Sequence, residues 1–483
     1  MFIGRETELA FLEDKYKEER GQLVVLYGRR RVGKTETLRE FCKGKPHVFY
    51  SCTQCADKVQ LTRFSKQLLK ENIPAAQYIS EFADWEKAFR AILNLPYGDK
   101  KKLIVIDEFP YMCKGDTAIP SILQNLWDEC LKDSNVMIIL CGSAMSFIEK
   151  ELLAEKNPLY GRATGIYKMS EMGFYDACKF FPDYTAREKV VAYAILGGIP
   201  HYLNQFRKEL SLEENIKKHI LTKGSILYSE VEFLLHQELR ETSIYNSIIE
   251  AVALGSTRLN EISQKSLVED TSKTSVYLKN LMELGIVERE FSVDAAVKEK
   301  ANAGRGLYCL ADNYFRFWYT FGYANLSQLE DGDVDGVWTY VVEPALQEFA
   351  SVPFEKICRE FVKEQQKKNL LPFRYQKMGR WCGKTTVRDT KAKTGVTVAE
   401  TEIDLLAIGA ERKDLMVGEC KFKKVPFSYS EYLDTLAKLA PLKENATFYY
   451  ALFSASGFDE KIEKEAKENN KIKLYGLDTI VAG

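Results

Sequence analysis

The sequence lacks any long hydrophobic run. Its longest apolar stretches, such as VMIIL at 136–140, are far shorter than the roughly 20 residues that a membrane-spanning helix requires, so we expect no membrane segment. The sequence also lacks a large net charge: 68 Lys and Arg residues against 69 Asp and Glu residues leave a formal charge of −1 at pH 7. Any nucleic-acid site must therefore be a local basic patch and not a property of the whole surface.

A disulfide framework is missing as well. The 11 cysteines have no regular spacing and no secretory signal precedes MFIGRETEL, so we expect a cytoplasmic protein. Cys52 and Cys55 are close in sequence, but no second such pair or histidine cluster accompanies them, which favours a structural role over a zinc site. The 46% hydrophobic and 28% charged residues are typical of globular proteins, and 483 residues predict two to four domains.

A phosphate-binding loop is the strongest motif present. The apolar run at 23–27 predicts a strand, and the residues after the loop predict a helix. Glycines allow backbone N–H groups to surround phosphates, Lys34 can reach the β and γ phosphates of ATP, and the Thr35 hydroxyl can bind Mg²⁺. The loop consists of Gly28, Arg29, Arg30, Arg31, Val32, Gly33, Lys34 and Thr35.

Acidic residues follow a second apolar strand in KKLIVIDEF. Ligands of open α/β sheets bind at the carboxyl ends of strands, so Asp107 fits a Mg²⁺ ligand and Glu108 fits the base that orients the attacking water. A third strand, NVMIILCGS, ends in Ser143, whose hydroxyl would face the same crevice and contact the γ phosphate. A plain turn is an equally good interpretation of Ser143.

These motifs resemble those of the archaeal-type ATPase family of the STAND class, which is related to AAA+ ATPases. Three further segments carry the same resemblance: FIGRETELAFLEDKY, NPLYGRATG and LGGIPHYL. The resemblance covers residues 1–240. It implies that the segment containing Gly4 and Arg5 lies near the adenine, and that a GGxP signature with Pro200 falls in a helical lid. It also makes Arg162 a candidate for stabilising γ-phosphate charge, although an ordinary surface arginine is the alternative.

The middle of the chain predicts a helical lid and then a winged helix. Residues 241–297 contain three helical segments and GIVERE, the opening of a wing. Between residues 241 and 290, five basic against eight acidic residues leave this module at −3, so we expect it to dock a protein partner, another domain or a second copy of the chain more readily than DNA. The following stretch, YCLADNYFRFWYTFGY, packs eight aromatic rings into sixteen residues and predicts a buried connector.

The C-terminal stretch EIDLLAIGAERKDLMVGECKF predicts a β-hairpin centred between Glu411 and Arg412. Paired residues then sum to 823, so that Asp404 faces Glu419 and Glu402 faces Lys421 on one face of the hairpin. Two carboxylates about 4 Å apart repel by roughly 4 kcal/mol at an effective dielectric constant of 20. The pair therefore predicts a bound cation, with Glu402 and Lys421 as a salt-bridged neighbour.

Asp404 and Glu419 are candidate ligands of Mg²⁺ or Mn²⁺, and the Lys421 ammonium would position a nucleophile or stabilise phosphorane charge. Glu355, on an amphipathic helix upstream, would complete the set. This arrangement resembles the PD-(D/E)XK nuclease superfamily, and the segment containing GRWCG and EIDLLAI resembles the domain of unknown function DUF234 that follows archaeal-type ATPase modules. The alternative is a salt bridge at a solvated edge.

The one strongly basic segment lies beside this site. Residues 363–393 carry ten basic and two acidic residues, a balance of +8, which favours nucleic acid as a ligand, although a solvated charged face is an equal alternative. The predicted fold class is α/β and multidomain. The predicted domains are a P-loop ATPase core with a parallel sheet (1–168), a helical lid (169–240), a winged helix (241–297), an aromatic helical connector (298–345) and an α/β restriction-endonuclease-like domain (346–483).

The leading hypothesis is an ATPase whose nucleotide state controls a metal-dependent nucleic-acid site. The alternative is a STAND-type signalling switch in which ATP drives assembly, the winged helix docks partners and the C-terminal domain does not cleave. The sequence does not distinguish DNA from RNA as the ligand.

Overall fold

A computed structural model describes residues 2–268, 270–301, 306–388, 396–439, 442 and 446–483, and side chains are not described at 301, 385–388 and 396–399. The chain divides into two compact units. The first contains the residues up to Met172 together with Ile199–His201, and the second contains Gly173–Gly198 and the residues from Tyr202 onward. Within the described residues, no helix is both long and apolar enough to cross a membrane.

The first unit is an α/β layer structure. Its strands are β1 (Gln22–Tyr27), β2 (His47–Ser51), β3 (Lys102–Asp107), β4 (Val136–Gly142) and β5 (Gly165–Lys168). Its helices are α1 (Glu6–Lys17), α2 (Lys34–Cys42), α3 (Asp57–Leu69), α4 (Trp85–Arg90), α5 (Phe109–Gly115), α6 (Ile119–Leu126) and α7 (Met145–Phe147). Single π turns at Trp127–Leu131 and Ile148–Leu152 extend α6 and α7.

The five strands of this unit form one parallel sheet in the order β2-β3-β4-β1-β5. The runs LVVL, LIVI and MIIL form its centre because they are apolar on both faces, and all their residues are buried. Since β4 lies between β1 and β3, the carboxyl ends of these three strands meet at one edge of the sheet. The loops that follow them build the first site.

The second unit is longer and mainly helical before residue 370. Its helices are α8 (Phe174–Cys178), α9 (Ala186–Leu196), α10 (Pro200–Leu203, of which Pro200 and His201 belong to the first unit), α11 (Leu212–Ile216), α12 (Glu230–Glu238), α13 (Thr242–Ala253), α14 (Leu259–Lys265), α15 (Thr271–Glu283), α16 (Val297–Ala301), α17 (Asn313–Phe317), α18 (Leu326–Glu330), α19 (Val334–Val337), α20 (Glu343–Lys367), α21 (Tyr429–Lys438), α22 (Glu460–Glu468) and α23 (Leu477–Ala482). Its strands are β6 (Val287–Glu290), β7 (Leu307–Leu310), β8 (Tyr375–Arg388), β9 (Val396–Gly409), β10 (Asp414–Lys421), β11 (Thr447–Ser454) and β12 (Ile472–Gly476). Further π turns lie at Lys217–Leu221, Trp318–Gly322 and Trp338–Val342.

Helices α13, α14 and α15 precede an antiparallel pair formed by β6 and β7. The partner of β6 therefore lies beyond residue 297, in the segment that the sequence assigns to the aromatic connector. The part of the aromatic stretch that forms α17 and the π turn after it has six buried rings, as the sequence predicts. These rings belong to Tyr314, Phe315, Phe317, Trp318, Tyr319 and Phe321.

Helix α20 is unusually long and contains Pro353 in its interior. Proline has no N–H group, so the carbonyl of Phe349, four residues earlier, loses its helical donor. The guanidinium of Arg316 donates to this carbonyl at 2.9 Å and also lies over the Phe349 ring. The aromatic connector thus satisfies the backbone group that Pro353 leaves, and fixes the helix that carries Glu355.

The C-terminal sheet has the order β12-β11-β10-β9-β8. Strands β8, β9 and β10 are antiparallel neighbours, whereas β10, β11 and β12 are parallel. The β9–β10 register pairs Leu415 with Ile408 and Gly418 with Leu405, and both pairs sum to 823. The predicted register is therefore confirmed from the Leu415–Ile408 pair to the Gly418–Leu405 pair.

The predicted side-chain alternation fails at one point. The sequence places Ile403 on the face opposite Leu406 and Ile408, but the three pack in one core cluster with Trp381. The cause is an irregularity in the β8–β9 pairing between Gly379 and Trp381, which shifts the register by one residue. A bulge of this kind is not visible as a pattern in β9 itself.

Candidate active sites at two sheet edges

The phosphate-loop residues take their positions from the backbone around them. A Cβ atom at Gly28 would lie 2.2 Å from the carbonyl oxygen of Met169, so only glycine fits there. Gly33 has a φ of 92°, in the left-handed region that glycine adopts without strain. A Cβ at Gly33 would approach the Pro200 ring at 3.6 Å, so Pro200 lies beside the loop.

Lys34 begins α2 and is buried. Its ammonium donates to the carbonyl oxygens of Gly28 and Arg29, each at 2.9 Å. These bonds hold the loop curled around the lysine. Burial lowers the pKa of Lys34, with nearby acidic groups partly opposing the effect.

The predicted acidic residues and the loop meet at the carboxyl edge of the sheet. The Thr35 hydroxyl donates to Asp107 Oδ2 at 2.8 Å, and the other Asp107 oxygen accepts the N–H of Glu108 at 3.1 Å. Glu108 Oε2 accepts both the N–H of Ser143 at 3.2 Å and its hydroxyl at 3.0 Å. A hydroxyl and a carboxylate in contact are the oxygen donors that Mg²⁺ prefers, so these residues fit that ion.

The remaining predicted residues of this site differ in position. Arg5 has a left-handed φ of 69° and donates to the Val32 carbonyl at 2.6 Å, which joins the N-terminal segment containing Gly4 to the phosphate loop. Arg30 reaches the Tyr111 hydroxyl at 3.5 Å. Arg162 instead forms an ion pair with Asp128 at 2.9 Å.

The second site lies where β9 and β10 pass α20. Glu419 is 2% exposed. Its carboxylate accepts from the ammonium of Lys421 at 2.7 Å and from that of Lys438, on α21, at 2.9 and 3.0 Å. Asp404 Oδ2 accepts the N–H of Cys420 at 2.8 Å in place of a further ladder bond.

The expected pairing of Glu402 with Lys421 is wrong. Glu402 forms its ion pair with Arg380 on β8, and Lys421 binds Glu419. Strand β9 has a neighbour on each side, and Cys382 of β8 lies opposite Glu402. The prediction considered the β9–β10 hairpin alone and therefore overlooked the basic strand on the other side.

Electrostatic coupling links the three carboxylates. Burial, and then the charge of Asp404, raise the pKa of Glu355 to about 7. Burial and the charge of Glu419 also raise the pKa of Asp404. Carboxyl groups from helix α20 and from two strands are thus close enough to interact, although they are separated by up to 64 positions in the sequence.

No group of three or more His, Cys, Asp or Glu side chains in the described ranges has a geometry able to hold a metal ion. The donor chemistry fits Mg²⁺ or Mn²⁺, because half-buried carboxylates with raised pKa values favour a cation. Two ammonium groups, however, already occupy the Glu419 carboxylate. A metal ion would have to displace at least part of this pairing.

Sequence reasoning missed four residues at this site. They are Glu290 on β6, Arg359 on α20, Arg380 on β8 and Lys438 on α21. A signal existed for Lys438: it follows the buried residues Tyr432 and Thr435 at helical spacing, so a charge falls on the inward stripe of α21. The other three depend on the tertiary approach of distant segments.

The comparisons with known proteins identify the family. Residues 2–206 match a family described as an ATPase domain predominantly from Archaea, and residues 318–433 match DUF234, archaeal and bacterial proteins of unknown function. An uncharacterized protein of Methanocaldococcus jannaschii is 32% identical over 483 residues, covering 99% of this chain and 99% of the relative. The chain belongs to this family of archaeal-type ATPases with a C-terminal DUF234 segment, and it is an ATPase with a P-loop fold.

Shorter and structural similarities accompany this match. An uncharacterized ATP-binding protein of the same organism is 51% identical over 45 residues, which are 9% of this chain and 76% of that relative. The Walker-type ATPase of Pyrococcus abyssi has a TM-score of 0.49 and 21% identity, covering 66% of this chain and 96% of that structure. A STAND protein with a tetratricopeptide repeat sensor from Pyrococcus horikoshii has a TM-score of 0.31 and 17% identity, covering 76% and 50%.

Proposed function

We propose that this ATPase uses Mg²⁺ with ATP at the phosphate loop and carries a second, metal-dependent site for nucleic acid in its C-terminal domain. In this proposal Lys34 contacts the β and γ phosphates, and Thr35 and Asp107 hold the ion. Glu108 orients the attacking water, which requires it to leave Ser143. The loop arginines, Gly4, Arg5 and Pro200 surround the rest of the nucleotide, and Arg162 must leave Asp128 if it is to reach a phosphate.

For the C-terminal domain we propose a PD-(D/E)XK-type site with Glu355, Asp404, Glu419 and Lys421. The observation that carries it is the meeting of three carboxylates with an ammonium on α20, β9 and β10. Nothing in the stability of the fold calls for mutually repelling carboxylates around the buried Glu419, since desolvating a carboxylate is costly unless it is compensated. A divalent cation bound there would activate water for attack on a phosphodiester.

The chain's own residues have separate tasks in this proposal. Asp404 and Glu419 would hold the ion, and Glu355 on α20 would complete the set of carboxylates around it. Lys421 would offer its ammonium to the negative charge that develops on the phosphorane oxygens. The proposal also includes a winged helix formed by α13–α15 with β6 and β7, and it retains the five-domain division.

A paired assay tests both halves. Lys34→Ala should abolish ATP hydrolysis while leaving Mn²⁺ binding intact, and Asp404→Asn should abolish Mn²⁺ binding and any cleavage of DNA or RNA while leaving ATP hydrolysis intact. Lack of cleavage across substrates and metals in protein that hydrolyses ATP would refute the nuclease half.

The lysine pair on Glu419 favours one further candidate. With both carboxylate oxygens neutralised, the C-terminal domain can bind nucleic acid or a partner without cutting, as a STAND-type switch would. ATP-dependent binding in Asp404→Asn protein equal to that of the unmodified chain would favour this function over the nuclease.

A further inference from the structure

The loop after β6 is anchored along the edge strand β8. Val293 N–H donates to the Arg380 carbonyl at 2.8 Å, and Cys382 N–H donates to the Ser292 hydroxyl at 3.3 Å. The Trp381 indole N–H donates to Asp294 at 2.9 Å. This segment of the proposed winged helix therefore covers backbone groups that an edge strand would otherwise expose.

Just before this anchor, Glu290 projects between two arginines. Its carboxylate oxygens lie 3.5 Å from Arg359 NH1 and 3.6 Å from Arg380 NH1. These separations exceed the 2.7–2.9 Å typical of charge-assisted hydrogen bonds, so Glu290 neutralises both guanidinium groups without forming a bidentate pair. The anchoring bonds of residues 292–294 are shorter, so a side-chain rotation of Glu290 can release the arginines while the backbone stays in place.

Both arginines adjoin the proposed metal ligands. Arg359 NH1 also donates to the backbone carbonyl of Asp404 at 3.1 Å, and Arg380 pairs with Glu402, two residues before Asp404. Arg380 Nε is buried and finds no hydrogen-bond acceptor among the described residues. A planar guanidinium with an unused donor beside a metal site suits a tetrahedral phosphate oxygen set.

A cavity of 590 Å³ opens beside Arg380, between the β6 segment and strands β8 and β9. Its charged lining comprises three cations and five carboxylates, so its balance is −2, and it becomes −1 when the Glu290 carboxylate moves away. The cations are Arg258, Arg380 and Lys384, and the carboxylates are those of Glu290, Asp294, Glu299, Glu400 and Glu402.

We infer that Arg359 and Arg380 receive the phosphodiester backbone of a nucleic acid, and that Glu290 occupies both guanidinium groups until the ligand displaces it. The inference rests on the proposed nucleic-acid function of the C-terminal domain. It gives the acidic winged-helix segment a task within the chain, as a cover for the basic strand β8. It also explains why residues 363–393, with a net charge of +8, lie beside a winged-helix segment whose net charge is negative.

Glu290→Gln tests this, because it removes the charge and keeps the shape. Its matched control is Glu299→Gln, which removes one charge from the lining of the same cavity. Glu299 accepts the N–H of Ala296 at 3.1 Å and makes no ion pair with an arginine in the described ranges. Fluorescence anisotropy with labelled single-stranded and duplex DNA and RNA, in EDTA, at about 50 mM and about 200 mM salt reports affinity without cleavage.

We expect Glu290→Gln to bind about tenfold more tightly than the unmodified chain at low salt, a change of about 1.4 kcal/mol. Glu299→Gln should stay within about twofold of the unmodified chain, and ATP hydrolysis should not change. Adding Arg380→Lys to Glu290→Gln should reverse the gain, since lysine keeps the charge but loses the bidentate geometry.

Equal binding by the unmodified chain and Glu290→Gln would overturn the inference and leave the proposed nucleic-acid function standing. An equal gain in Glu299→Gln would also overturn it, because the effect would then be general electrostatics. Absence of binding by every variant to every DNA and RNA probe would refute the proposed nucleic-acid function and, with it, the role of Glu290.

Discussion

The two candidate sites use lysine and carboxylate groups in opposite ways. At the phosphate loop, Lys34 bonds to two backbone carbonyls of its own loop, and Asp107 keeps a hydroxyl as its partner. In the C-terminal domain, Lys421 and Lys438 bond directly to the carboxylate of Glu419. At the first site, neutral backbone carbonyls hold the lysine ammonium in position. At the second site, lysine ammonium groups neutralise the charge of the carboxylate.

This difference follows from how each site is assembled. A loop of eight residues supplies the phosphate cradle, so its geometry is local and needs only glycines and a following helix. The C-terminal site takes side chains from α20, β9, β10 and α21, which buries several carboxylates together. Such a cluster recruits ammonium groups, because unpaired buried charge is costly.

The largest effect should come from Lys34→Ala. Loss of the ammonium removes phosphate contact and also frees the Gly28 and Arg29 carbonyls, so we expect ATP hydrolysis to fall by about a hundredfold or more. Phosphate release under saturating ATP measures it. Lys43→Ala is the control. Lys43 lies just after the same helix, is exposed and pairs with Glu40, so the Lys43→Ala variant should hydrolyse ATP at the rate of the unmodified chain. Similar losses in both variants would contradict the assigned role.

The local rigidity of the loop predicts the next effect. Gly28→Ala places a Cβ against the Met169 carbonyl, and we expect destabilisation of about 1–3 kcal/mol, in the range of other overpacking substitutions. Denaturant unfolding measures the change. Gly115→Ala is the matched control, because its Cβ would meet no atom closer than 3.6 Å. Equal stability of the two variants would show that the loop is not constrained at Gly28.

The self-neutralised state of the C-terminal site predicts a gain on losing a lysine. Lys438→Met removes one competitor for the Glu419 carboxylate, so Mn²⁺ should bind about tenfold more tightly, equal to about 1.4 kcal/mol. Isothermal titration with Mn²⁺ measures this affinity. Lys367→Met, which breaks an ion pair with Glu364 elsewhere in the domain, serves as the control. An unchanged affinity in Lys438→Met would mean that the lysine pair does not oppose the metal.

The smallest effect should come from Glu402→Gln. Glu402 is an exposed residue paired with Arg380 and lies outside the proposed ligand set, so stability should change by less than about 1 kcal/mol. Mn²⁺ affinity in the same titration should stay within about twofold. A strong loss of Mn²⁺ binding in this variant would make Glu402 a metal ligand, contrary to its pairing with Arg380.

Much of the fold could be predicted from short-range pattern. Apolar runs of four residues gave the buried strands of the first sheet, and turn composition gave the β9–β10 register, because a hairpin pairs neighbours in sequence. The bulge opposite Gly379 could not be predicted, since it arises from the pairing of β9 with β8 and not from either strand alone. For the same reason the partner of Glu402 was assigned wrongly.

The sequence by itself determined the phosphate loop, the acidic strand ends and the family, because these depend on residue types at fixed local spacing. Only the tertiary structure decided which charges meet at the C-terminal site. Lys438 reaches Glu419 across 19 positions, and Glu290 reaches Arg359 and Arg380 across 69 and 90. Electrostatic energy depends on distance in space and on burial, and neither is a property of spacing along the chain.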